Sequence, residues 1–130
     1  MKNVLSIALG GSIGALLRYG VSFLSTKVFS STYPMGTFLV NLIGAFLIGF
    51  FWGMFEKNTV SEQLKSFVLI GLIGSFTTFS TLSFETVKLF QAGDTKLAMI
   101  HLFFTNLLGL IMVIAGYLVS VKINFVFIKK

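Results

Sequence analysis

The chain has no cysteine, one proline, one histidine and four carboxylates in 130 residues. Without cysteine there is no disulfide framework, no thiolate zinc site and no cysteine nucleophile. One histidine and four acids leave almost nothing for a metalloenzyme. Charge of either sign is scarce: charged residues make up 11% of the chain, against roughly a quarter in a soluble domain. Apolar residues take their place, at 55%, with sixteen Phe and thirteen Gly, and the mean hydropathy is +0.95. So few charges cannot clothe a soluble 14.3 kDa protein, and the composition points to an integral membrane protein. The net charge of +6 is no signal for nucleic acid. The basic residues form no cluster and fall mostly between apolar runs, as flanks of membrane spans do. No secretory signal peptide is evident, because the first apolar run is long and no small-residue cleavage site precedes a polar mature part.

Four apolar runs cover residues 4–23, 36–55, 67–90 and 97–121. Each is long enough for a helix to cross a hydrocarbon core of ~30 Å at ~1.5 Å per residue. The connections are short. One holds Pro34 and another the turn-like Gly93-Asp94 pair, so residues 1–130 are expected to form a single all-α membrane domain. Four spans put both termini on one side. That side carries Lys2, Lys57, Lys65, Lys122, Lys129 and Lys130, and the other Lys27, Lys88 and Lys96. The excess favours termini inside the cell, in a multi-pass protein of the plasma membrane.

Small residues recur at steps of four. Span one places Ser6, Gly10, Gly14, Arg18 and Ser22 on one face, and span two does so with Asn41, Ala45, Gly49 and Gly53. Such stripes let helix backbones approach closely in lipid. Arg18 and Asn41 are polar groups at membrane depth on these faces, and inward is the favoured direction for them. Arg18 either snorkels to a headgroup or attracts anions into a water-filled vestibule. Asn41 either bonds a neighbouring helix or faces a pore.

Span three carries the densest chemistry. Six of the nine positions from Ser75 to Ser83 are Ser or Thr, after Gly71 and Gly74. Hydroxyls can bond back to the preceding turn and leave a helix intact. Two glycines before such a run instead suggest a helix broken near the midplane, tolerated only inside protein or along a cavity. A break frees carbonyls, which suit a cation, and amide N–H groups, which suit an anion. Phe79 lies among the hydroxyls, and its ring edge is electropositive.

Three segments now resemble one family. They are Gly11-Ser-Ile-Gly-Ala-Leu-Leu-Arg-Tyr19, Gly36-Thr-Phe-Leu-Val-Asn-Leu-Ile-Gly44 and Gly74-Ser-Phe-Thr-Thr-Phe-Ser-Thr-Leu-Ser-Phe-Glu85. Together with the four spans and the Asn-Leu-Leu-Gly109 stretch, they resemble the Fluc/CrcB fluoride channels of bacteria. The similarity covers essentially the whole chain, and the Thr-Thr-Phe-Ser-Thr core is its specific part. The resemblance implies an antiparallel, dual-topology dimer with two narrow pores, through which cytoplasmic fluoride leaves passively. It implies a structural sodium ion, not transported, held by the backbone carbonyls of Gly74 and Thr77 from each subunit. By the same match Phe79, Asn41, Ser80 and Thr81 line the fluoride pore, Arg18 belongs to a vestibule, and Glu85 lies near a pore entrance. Fluoride is strongly hydrated, so a narrow apolar pore must offer donors in place of water. The Asn41 amide, the two hydroxyls and the ring edge of Phe79 are such donors.

One position departs from the family. A second Phe usually follows the first by three residues, and here that position is Leu82. Leucine has no electropositive edge. With the uneven lysines, this raises a heterodimer with a second homologue beside the homodimer. Among rival readings, a small multidrug-type exporter needs a membrane-embedded carboxylate, and no acid lies within a predicted span before Glu85. A non-transporting membrane subunit would make the Ser/Thr/Phe run mere packing. An enzyme is disfavoured: the hydroxyls have no base beside them. His101 has no metal-ligand partners at helical spacing and is expected to be an interfacial or helix-packing group.

Overall fold

The computed structural model describes residues 1–29 and 33–128, apart from the side chains of 124–128. Lys129 and Lys130, counted above for orientation, lie outside the described residues. The described residues form helices and turns with no strand. In order these are α1 (Lys2–Val28), α2 (Met35–Lys57), α3 (Glu62–Lys65), a π-helical segment (Ser66–Ile73), α4 (Gly74–Phe76), α5 (Phe79–Gln91) and α6 (Thr95–Ile128). Four stretches are long and apolar enough to cross a membrane, the third running from Glu62 to Gln91.

The helices outrun the apolar stretches at every end, because a helix needs backbone hydrogen bonds and not apolar side chains. One consequence is that Glu56 falls inside α2, where the apolar run had left it in the connection. It is exposed and accepts a hydrogen bond from the Tyr117 hydroxyl at 3.1 Å. The stops have local causes. Pro34 stands at the N-cap of α2, where no helical N–H is lost. Ser61 caps α3, its Oγ accepting from Leu64 N–H at 3.3 Å. Gly93 closes α5 at φ +86°. There Asp94 N–H bonds to the Leu89 carbonyl at 3.0 Å and Gly93 N–H to the Phe90 carbonyl at 3.1 Å, a Schellman turn.

Two close pairings organise the bundle: α2 lies along α6, and α1 lies along the π-helical segment. The small-residue stripes make both. A methyl group on Gly49 would strike the Val113 carbonyl, and one on Gly116 would strike the Phe46 carbonyl. Gly53 meets Ser120, which is fully buried. On the other side Gly10 faces the Phe67 carbonyl and Gly14 the Leu72 carbonyl. Backbones in contact gain dispersion without requiring water between them. The apolar core is small, with Val40, Ile73, Leu82 and Ala98 at its centre. Large side chains such as Leu16, Ile70, Phe79 and Phe84 point outward, as suits an apolar solvent or a partner.

Candidate functional site

The Ser/Thr run of the third span departs from helix at Thr77 and Thr78. Thr77 has φ −73° and ψ 155°, and Thr78 has φ −149° and ψ 114°. Both are extended conformations. Extended backbone inside a helix strands polar groups, so the partners of each need accounting.

Asn41 of α2 supplies two of them. Its Oδ1 accepts from Thr78 N–H at 2.8 Å, and its Nδ2 donates to the Thr78 carbonyl at 3.1 Å. The amide orientation follows from the bond, since only the oxygen can accept. Asn41 thus grips the backbone of Thr78 like a neighbouring strand. Of its two sequence readings, the structure gives the bond to a neighbouring element, and one Nδ2 hydrogen is left over.

Thr78 then starts α5. Its Oγ1 accepts from Thr81 N–H at 3.2 Å as an N-cap. The same hydroxyl donates to Thr81 Oγ1 at 3.0 Å and lies 3.3 Å from Ser80 Oγ. The hydroxyls of Thr78, Ser80 and Thr81 therefore form one connected group. Thr77 Oγ1 turns back to the Ile73 carbonyl at 3.1 Å.

These bonds have a consequence for two carbonyls. In a continuous α-helix Thr78 N–H would bond to the Gly74 carbonyl, and Thr81 N–H to the Thr77 carbonyl. Here Thr78 N–H goes to Asn41 and Thr81 N–H goes to Thr78 Oγ1. Gly74 and Thr77 both lose their helical donors. Gly74 is exposed and Thr77 partly so, so both oxygens belong to a segment that another molecule can approach.

Two cavities flank the group. One, of about 460 Å³, is lined by Ser22 and Ser25 of α1, Thr37 of α2, Tyr33, and Thr81 and Glu85 of α5. The other, of about 350 Å³, is lined by Asn41, Thr77, Thr78, Phe79 and Leu82, with Asn106 and Gly109 of α6 among its remaining walls. The Thr78–Thr81 hydroxyl pair joins one lining to the other. Phe79 is 71% exposed at the edge of the second cavity, while Leu82 is only 2% exposed. The two positions therefore line one cavity at different depths.

Arg18 stands apart. It lines neither cavity, although Ser22, one turn further along α1, lines the first. It makes no ion pair among the described residues. Glu85 is joined by a neighbour not singled out beside it in the sequence. His101 of α6 is fully buried and brings Nε2 to 3.4 Å from Glu85 Oε2. Sixteen residues and a turn separate the two, and no spacing rule links them. Outside the helices, burial holds the Tyr33 phenol above its ordinary pKa.

The sequence also matches known proteins. The family described as "CrcB-like protein, Camphor Resistance (CrcB)" matches residues 5–117. A protein of Shewanella baltica (strain OS185) named "Fluoride-specific ion channel FluC" is 45% identical over 116 residues, covering 89% of this chain and 94% of the relative. One of the same name from Shewanella frigidimarina (strain NCIMB 400) is 46% identical over the same coverage of each. With four helices able to span a bilayer, a match over most of its length and relatives of this similarity, the chain is a multi-pass membrane protein and belongs to the CrcB family.

Proposed function

We propose that the chain is a subunit of a fluoride-selective channel of the bacterial plasma membrane, through which cytoplasmic fluoride leaves passively and its toxicity falls. The observation that supports this most is the pair of diverted amides at Thr78 and Thr81. They open the Gly74 and Thr77 carbonyls beside Asn41, Phe79 and a connected hydroxyl group. Relatives at 45% and 46% identity carry the fluoride channel name.

Two subunits pack antiparallel, so that the breaks in their third helices meet near the membrane midplane. The Gly74 and Thr77 carbonyls of both would hold a structural sodium ion. Carbonyl oxygens lacking N–H donors suit a hard monovalent cation. Such an ion supplies positive charge beside the pores and ties the subunits together.

Each pore runs past Phe79, Asn41, Ser80 and Thr81. Asn41 has one Nδ2 hydrogen beyond the bond to Thr78. Thr81 Oγ1 accepts a hydrogen bond from the Thr78 hydroxyl and keeps its own O–H to offer. The exposed ring of Phe79 presents its edge to the anion. Together these donors replace part of the hydration shell that fluoride sheds. Arg18 contributes positive charge to the vestibule, and Glu85 stands at its entrance.

The partner is either an identical copy or a homologue of opposite orientation. Leu82, which has no electropositive ring edge, favours weighing the second. Identical copies would lack one ring of the pair in each pore, and a homologue would restore it in one. The test is growth on fluoride of a bacterial strain lacking its own fluoride exporter. Wild type is expected to restore growth alone or with the homologue from the same genome. Membrane-inserted protein that restores nothing in either setting refutes the proposal.

A further inference from the structure

His101 is the one histidine in the sequence, and it is fully buried. Neither ring nitrogen has a hydrogen-bond partner among the described residues, and neither does Glu85 Oε2. Yet His101 Nε2 and Glu85 Oε2 face each other at 3.4 Å. An imidazole always carries at least one N–H, so a buried donor on the ring is left unbonded among the described residues, with a buried acceptor oxygen 3.4 Å from one of its nitrogens. Buried polar groups are rarely left so unless something else uses them. A small approach of the two would form a charge-assisted bond when the ring is protonated.

The surroundings make the pair consequential. Glu85 lines the 460 Å³ cavity together with Thr81. Its side chain is 27% exposed while that of His101 is 0% exposed. The carboxylate therefore meets whatever enters, and the ring stands behind it. Tyr33 packs edge-on against the ring, with centroids 5.2 Å apart. The remaining charged groups are few. Lys88, one turn past Glu85 on α5, lines an adjoining groove with Glu85 and Pro34. Asp94 and Lys96, at the start of α6, are exposed. From α1 and α2 the cavity receives hydroxyl and apolar groups, with no acid or base. Burial keeps the Tyr33 phenol in its neutral form, so the charge that can change behind the carboxylate is that of the imidazole.

We propose that His101 is a positioning residue for Glu85, and that the two form a proton-responsive charge pair that sets how readily this cavity admits an anion. The inference rests on the channel reading above. With His101 neutral, the pair carries one negative charge and repels an incoming anion. With His101 protonated, the pair is neutral and the carboxylate is held back by the bond. Anion admission therefore rises as pH falls. Removing one negative charge from a mouth raises the encounter rate by up to roughly tenfold at low salt, and less as salt screens it.

The test uses the full chain in lipid. A single histidine gives a single imidazole NMR signal from labelled protein, followed from about pH 5 to about pH 8. Fluoride efflux from liposomes is measured over the same range, with protein-free liposomes subtracted for leak of the weak acid. The expected result is efflux that rises roughly three- to tenfold on the acid side, in step with the change in the imidazole signal. Glu85→Gln is expected to displace the imidazole midpoint and flatten the efflux profile. His101→Gln is expected to flatten it as well. An imidazole that keeps one protonation state throughout overturns the inference, even if both variants fail to fold. So does a wild-type pH profile retained by His101→Gln. A wild type that conducts with no pH dependence overturns this inference alone, whereas one that passes no fluoride at any pH overturns the channel reading itself.

Discussion

Asn41→Ala removes both hydrogen bonds that hold the backbone of Thr78. Thr78 is 7% exposed, so its N–H and C=O would be stranded where water reaches poorly. Each bond contributes about 1 kcal/mol net, and each stranded buried group costs about 1–3 kcal/mol. Partial relaxation lowers the sum, and a loss of about 2–4 kcal/mol is expected. Asn41→Asp keeps the acceptor for Thr78 N–H but sets a carboxylate oxygen against the Thr78 carbonyl 3.1 Å away, so its loss should be at least as large. Unfolding by increasing anionic detergent can be followed through the sole tryptophan, Trp52, whose ring lies 6.1 Å from that of Tyr117. The reasoning is refuted if Asn41→Ala unfolds within about 0.5 kcal/mol of wild type. It is also refuted if Asn41→Asp is as stable as wild type. Fluoride flux should fall in both, in Asn41→Asp partly because a carboxylate repels the anion.

Further outcomes follow from the same geometry. Gly49→Ala should destabilise by about 1–3 kcal/mol in the same detergent titration, because its methyl meets the Val113 carbonyl. Gly109→Ala, with open space around its added methyl, should stay within about 0.5 kcal/mol. Thr78→Ala should lose about 1 kcal/mol with the N-cap bond to Thr81, and its efflux should drop as the hydroxyl group is disconnected. Phe79→Ile removes an exposed ring, so it should leave stability nearly unchanged while efflux falls at least tenfold.

The parts of the molecule that repeat along the chain were legible in the sequence. Long apolar runs announced the spans, and steps of four announced the faces carrying Gly10, Gly14, Gly49 and Gly53. Each stripe packs a backbone, although the sequence did not say which helix each would meet. Span ends were less legible, because Lys2 and Lys57 continue their helices with polar side chains. The bond from Asn41 to Thr78 crosses 37 residues, and no local rule predicts it. The contact of His101 with Glu85 was hidden for the same reason. A lone histidine on an apolar helix reads as packing until the turn at Gly93 folds α6 back onto α5. Leu82 stood out through the resemblance, but only the structure shows it buried in the wall of the cavity at whose edge Phe79 is exposed.

Anion efflux from liposomes holding only this purified chain, with fluoride and chloride followed in the same vesicles at neutral pH, tests the central claim most directly. The account predicts rapid fluoride release with chloride retained, from the chain alone or once the homologue from the same genome is added. Equal release of the two anions, or no release in either preparation, would contradict it.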